Sequence, residues 1–334
     1  MKTSKKAQVE ISFNWVFVLI AGAAILFIFL RIIGTETEFA QTATQRRAIH
    51  DMTSLLTVLQ QNPDSISNEK RINYLLEFNC NTEGHSYGIQ GATNPARLPH
   101  QIIFSPKTVG EARIVTWVKT LRTPYPVSSI LYLTDHETMY IFLKDAGQTA
   151  ENYYDLFPEE IPKTLTTANN LNDYEDEGHR NIIIIKNTDA NINYNLIKNN
   201  LDTRKITHVV SINNNNEVKF INIQNTNEEK NFGSLTEELV IGAIITGNPN
   251  LFNCTLNKAL DQTRIITDLM LERTKLLNTA YGSNPCNTYY SSINQKTFQD
   301  LSNAARNKQP IYGHVQDIKN LNDRILRTNC VPIY

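Results

Sequence analysis

The sequence predicts an α+β protein: a mixed α/β sheet ectodomain with a C-terminal helical layer, carried on an N-terminal transmembrane helix. Three observations lead there. Residues Ile11 to Leu30 contain no charged side chain and follow Lys2, Lys5 and Lys6. From Arg71 to Thr246, short β-rich runs alternate with turn residues. After Asn253 the apolar residues recur at helical spacing instead.

The apolar stretch comes first. At about 1.5 Å per residue it reaches roughly 30 Å as a helix, the thickness of a bilayer's hydrocarbon core. Trp15 lies near its entry end, where indole rings favour the interface. Three lysines precede it, whereas Arg31 is followed by Glu36 and Glu38, so the N-terminus is expected in the cytoplasm and the bulk of the chain outside the cell. A cleaved secretory signal is the rival reading. Its apolar core would be shorter and would end at a small-residue site, yet here Ala21–Ala24 sit inside the run. The expected organisation is a cytoplasmic segment 1–10, a span 11–33, a membrane-proximal helix 34–62, a sheet domain 63–250 and a helical layer 251–334. The expected location is the plasma membrane, with a single pass through the lipid bilayer.

Thr35–Gln61 has helical character. Ile49, Met52, Leu56 and Leu59 form one stripe, and Pro63 ends it. The stripe either packs on the body or serves self-association. Arg71–Asn79 reads as a strand, Asn81–Gly84 as a turn and His85–Gln90 as the returning strand. Gln101–Phe104 is a strand, and so is Ala112–Leu121, with helix as its alternative. Val127–Thr134 and Met139–Lys144 read as a hairpin turning at Asp135–Glu137.

Thr149–Leu156 is expected as a short helix and Ile161–Asp173 as irregular chain. The continuous run Ile182–Ile185 suits a strand buried on both faces. A helix over Tyr194–Leu201, a strand His208–Ile212, the turn Asn213–Asn216 and a strand Glu217–Ile223 follow. Gln224–Asn231 reads as polar loop, and the apolar Glu238–Thr246 as another central strand. Asn253 is expected to cap a long helix to about Ala280, with shorter helices at Thr297–Asn307 and His314–Thr328.

All four cysteines, Cys80, Cys254, Cys286 and Cys330, lie beyond the apolar stretch. An even number outside the cytoplasm predicts two disulfides. No C-x-x-C spacing points to a zinc ribbon or a redox pair. Two antiparallel helices would bring Cys254 near Cys330 and leave Cys80 for Cys286.

Catalytic signatures are scarce. His136-Glu137 begins like H-E-x-x-H, but Tyr140 stands where the second His belongs. Asp173, Glu175, Glu177 and Gly178 resemble the first half of a calcium loop, but Ile184 replaces its closing Glu. No phosphate loop, nucleophile elbow or dinucleotide fingerprint is present. No catalytic, cofactor or metal residue is therefore assigned, and no cofactor is expected. The net charge of −1, with scattered basic residues, argues against a nucleic-acid partner. Asn253-Cys254-Thr255 is an N-glycosylation sequon.

Lys6-Ala7-Gln8 before an apolar helix resembles the N-terminus of archaeal type IV pilin-like proteins, which carry class III signal peptides. That resemblance implies processing between Ala7 and Gln8. Its usual polar pair is rearranged here as Glu10 and Ser12. The wider chain resembles an uncharacterised family of archaeal single-pass membrane proteins, through Gln8–Trp15, Leu76–Cys80, Ile103–Pro106, Thr116-Trp117, Pro124–Thr134, Gly242–Ile245, Asn253-Cys254 and Cys330–Tyr334. These blocks are packing patterns. They imply an extracytoplasmic domain and no chemistry. The expected role is structural, adhesive or protein-binding, toward other surface proteins or a second copy through the 35–61 helix. A membrane-tethered hydrolase with dispersed catalytic residues and a minor pilin-like subunit are the alternatives.

Overall fold

The structure is a computed structural model. It describes all residues except 1–17, 28–44, 82–83, 93–94, 99–100, 145–147, 174–177, 189–193, 195–204, 207 and 226. The chain divides into two compact units, Met1–Met52 and Thr53–Tyr334. In the first unit, residues 18–27 are helical (α1) and expose Val18, Leu19, Ile20, Leu26 and Phe27. The rest of the expected span 11–33, with Ala7 and Gln8, lies outside the described residues. Among the described residues, no helix is long and apolar enough to cross a membrane.

Helical backbone at 45–60 (α2) continues into the second unit. There Leu56 is buried and the Thr53 and Tyr87 hydroxyls are 2.6 Å apart. The second unit is an α+β body built on three sheets. A hairpin sheet orders β4 (Ala96–Leu98), β3 (Gly84–Ile89), β2 (Leu75–Asn81) and β6 (Thr108–Gly110), all antiparallel. A central sheet orders β1 (Ile66–Arg71), β7 (Arg113–Arg122), β8 (Pro126–Asp135) and β5 (Ile102–Phe104). The third sheet orders β10 (Lys163–Thr166), β9 (Thr138–Leu143), β11 (Asn181–Asn187), β12 (His208–Ile212), β13 (Glu217–Asn222) and β14 (Glu229–Ser234). Its first four strands are parallel and its last two antiparallel.

This third sheet is covered on both faces, as the run Ile182–Ile185 demands. Ile183 and Ile185 enter the main core, whereas Ile182 and Ile184 enter a second core with Ile141, Leu171 and Val209. Helix α3 (Thr149–Leu156) connects β9 to β10 and buries Tyr153. The turn after β12 is built by Asn213, whose side-chain oxygen accepts from the Asn215 and Glu217 N–H groups.

Four helices complete the body: α4 (Glu237–Thr246), α5 (Pro249–Ala280), α6 (Ser292–Arg306) and α7 (Tyr312–Leu326). Helix α5 is a spine of 32 residues, roughly 48 Å long. Its buried Thr263 and Thr267 donate to carbonyls one turn back, and Tyr125 donates to the Thr267 hydroxyl at 2.7 Å. Helix α6 runs back along it, since Lys308 at its end pairs with Asp261 near the start of α5. Helix α7 then returns, placing Pro332 beside Arg273 in the second half of α5.

Several expectations are corrected. Glu238–Thr246 is helix. Every residue from Leu239 to Thr246 is buried, so its uninterrupted apolar run reflects burial on all sides rather than a strand. Gly242 lets α4 lie against Phe104, because a Cβ there would stand 2.7 Å from the ring. The strands flanking Asp135–Glu137 do not form a hairpin: β8 and β9 belong to different sheets. Residues 163–166 and 229–231 are strand, not loop. The long helix is capped by Asn248, not Asn253. The expected helix over Tyr194–Leu201 lies outside the described residues apart from Tyr194.

Both disulfides form, but with other partners. Cys80 bonds Cys254 and Cys286 bonds Cys330. The reason is the number of helical passes. After α5 the chain makes two more, so Cys330 arrives at the far end of α5, roughly 40 Å from Cys254. Cys254 instead lies beside β2.

Candidate functional site

One carboxylate joins the three sheets. Asp135 closes β8, and its side chain is fully shielded from solvent. Its Oδ2 accepts from the Gly110 N–H at 2.7 Å and from Arg180 Nη1 at 3.1 Å. Its Oδ1 accepts from the Thr138 hydroxyl at 2.8 Å and the Glu137 N–H at 3.1 Å. Gly110 belongs to the hairpin sheet, Asp135 to the central sheet and Thr138 to the third. Arg180 also donates from Nη2 to the Gly110 carbonyl at 2.6 Å. Burial raises the Asp135 pKa, while the Gly110 and Thr138 donors and the Arg180 charge pull it down. With both oxygens occupied twice, this carboxylate holds the sheets and has no free position for accepting a substrate proton.

A cavity of about 190 Å³ adjoins this junction, at the amino ends of β11 and β12. Thr108 and Asn181 belong to both places: the Asn181 side-chain N–H₂ reaches the Thr108 carbonyl and the Thr138 hydroxyl, each at 3.3 Å. The wall also carries Lys107, Lys205, His208 and Thr246, and no carboxylate is among its described lining residues. Lys107 is largely exposed and stands 3.3 Å from Glu77, a pair that such exposure makes weak.

His208 opens β12. Its Nδ1 is closed off from solvent and has no hydrogen-bond partner among the described residues. Burial lowers its pKa, Glu228 opposes that and Lys230 adds to it, which favours the neutral ring. A buried N–H without a partner costs more than a bare lone pair, so we assign the proton to Nε2, leaving that edge as a donor.

The remaining wall is the corner between α4 and α5. Gly247 adopts φ +59°, and a Cβ there would stand 2.7 Å from Ile183 Cδ1. Asn248 caps α5 by accepting from the Asn250 and Leu251 N–H groups at 3.0 and 3.1 Å, and Pro249 occupies the first helical turn. Those amides are thus taken.

A second buried ionisable group lies at the seam of the hairpin sheet and α5. His85 pairs with Cys80 across β2 and β3, its Nε2 3.9 Å from the Cys80 sulfur. It is 2% exposed, and burial, assisted by Lys258, drives its pKa down to about 3.

The residues singled out from sequence are scattered. His136 is half-buried at the turn after β8, and Tyr140 is in the core, within 2.9 Å of the Thr134 hydroxyl. Among the described residues, no group of three His, Cys, Asp or Glu could hold a metal ion. Residues 174–177 of the acidic cluster lie outside the described residues. Asn253 is exposed on α5, its sequon neighbours being the disulfide-bonded Cys254 and the buried Thr255. Lys107, Lys205 and His208 left no signal in the sequence, because only the fold brings them together. Gly247-Asn248-Pro249 did leave one, since a left-handed exit, a side-chain cap and a first-turn proline mark a helix-to-helix corner. Compared with known proteins, the chain matches no family model, no curated protein and no solved structure.

Proposed function

We propose that this chain is a single-pass membrane protein whose α+β body faces the outside of the cell and works by binding, as a structural or adhesive surface protein. The observation that carries the reading is the pair of disulfides, Cys80–Cys254 and Cys286–Cys330. They use every cysteine of a body that follows a charge-free stretch of bilayer length. Such bonds persist in oxidising compartments, and the lysines ahead of the stretch orient that body outward. The partners are the lipid bilayer and other surface proteins, or a second copy. The resemblance to pilin-like N-termini adds processing between Ala7 and Gln8 as part of the proposal, and an intact mass of the native protein reads it directly.

Protease added to whole cells is expected to remove the body, and non-reducing peptide mapping to return the 80–254 and 286–330 links. Full protection of the chain, or four free thiols after rapid alkylation of native protein, would overturn the reading.

A further inference from the structure

We propose that the Cys80–Cys254 disulfide is a site of thiol–disulfide exchange, opened by a low-molecular-weight thiol that becomes attached to Cys254, whereas Cys286–Cys330 is a structural link. All four cysteines are half-exposed, so access alone does not separate the two links. Their surroundings do. Cys286 and Cys330 pack against the main core. Cys80 and Cys254 tie the hairpin sheet to α5 at the seam that holds His85, the cross-strand partner of Cys80. His85 Nε2 stands 3.9 Å from the Cys80 sulfur. A disulfide sulfur carries no proton and can only accept, so the contact is bonding when Nε2 is the protonated nitrogen. Lys258 follows Cys254 by one turn of α5, and its charge acts on His85. Asp261, the acidic group beside Lys258, is paired with Lys308. A thiolate formed at Cys80 therefore meets an N–H donor and a nearby cation, surroundings that lower a thiol's pKa. The Cys254 sulfur instead has the Asn81 carbonyl oxygen 3.6 Å away, which disfavours a thiolate there.

The thiol of lower pKa leaves faster, so Cys80 is the leaving group and Cys254 the sulfur attacked. The incoming thiolate forms a sulfur–sulfur bond to Cys254. The old bond breaks with its electron pair going to Cys80, which accepts the Nε2–H hydrogen bond and then a proton from water. A second thiol molecule displaces Cys254 from the mixed disulfide. In sum, two thiols are oxidised to one disulfide while Cys80 and Cys254 are reduced to thiols. Opening this link removes the covalent tie between the hairpin sheet and α5. The exchange needs both disulfides formed, as the proposed function does, and is independent of the side of a membrane that the body faces.

The test begins with non-reducing mapping of the full-length protein in detergent micelles. A missing 80–254 link at that stage overturns both this proposal and the surface-protein reading, whereas the later outcomes bear on exchange alone. The protein is then exposed to reduced glutathione at about pH 8, where part of it is thiolate, and samples are quenched by rapid alkylation. We expect the 80–254 link to open about tenfold faster than the 286–330 link, with glutathione attached to Cys254. His85→Leu and Lys258→Gln should each slow that opening about threefold. Lys319→Gln on α7 should leave it unchanged. The direction is diagnostic, because a side chain that merely held the seam shut would speed the opening when removed. Should thermal unfolding show that His85→Leu does not fold, Lys258→Gln supplies the readout alone. Equal opening of the two links, glutathione on Cys80 in place of Cys254, or a rate not slowed in either folded variant overturns the proposal.

Discussion

Asp135 and His85 are both buried ionisable side chains, and they meet burial in opposite ways. Asp135, at the junction of the three sheets, is surrounded by four donors, one of them the Arg180 guanidinium. His85, between the hairpin sheet and α5, has no carboxylate beside it among the described residues, and burial, assisted by Lys258, lowers its pKa and favours the neutral ring. A group whose partners converge from several elements can organise a fold around itself. A group without such partners is tolerated by changing its protonation state, and it stores a sensitivity to pH.

The largest expected effect breaks the His85 side of this contrast. Its pKa is 6.5 in the unfolded chain and about 3 in the fold, so between those values the unfolded chain binds a proton that the native one does not. Stability from this group is complete above about pH 6.5 and is lost as pH falls toward 3, with a ceiling of about 5 kcal/mol. In urea unfolding across that window, His85→Gln is expected to flatten the slope relative to wild type. An unchanged slope would mean that His85 is protonated in the native protein.

Next is Asp135→Ala, which takes away the carboxylate paired with Arg180 Nη1 and frees the Gly110 N–H from β8. Removal of one member of such a buried pair is expected to cost about 3–5 kcal/mol, read as a fall in the unfolding midpoint. A loss under about 1 kcal/mol would show that the three sheets are held by apolar packing alone.

The smallest change sharpens the comparison. Thr138→Val removes one neutral donor from Asp135 and keeps the shape, with an expected loss of about 1–2 kcal/mol. Combined with Asp135→Asn, its effect should shrink, because the hydrogen bond would be partly lost already. Strict additivity in that cycle would argue against a coupled network.

Much of the fold was legible. The spans of β7, β9 and β11 to β13, helix α3 and the Asn213–Asn216 turn follow from local pattern, since alternation, apolar runs and turn chemistry act over a few residues. Where the reading failed, local pattern was silent about neighbours. The run from Leu239 to Thr246 records burial on every side, a condition met equally by a central strand and a core helix. Asp135-His136-Glu137 does mark a turn, yet nothing in those residues says that the next strand joins another sheet. The cavity was invisible for the same reason: Lys107 and His208 are a hundred residues apart and meet only through the order of strands.

By itself, the sequence determined that this body mixes strands with a helical C-terminal third and that its cysteines close two disulfides. Periodicity and residue count carry that information, because each residue's own chemistry decides whether it seeks the core and what backbone it favours. Only the tertiary structure decided which cysteine meets which, which sheet each strand joins and which carboxylate binds the sheets together. Those choices depend on long-range packing, where the number of helical passes and the direction of each chain crossing determine which residues become neighbours.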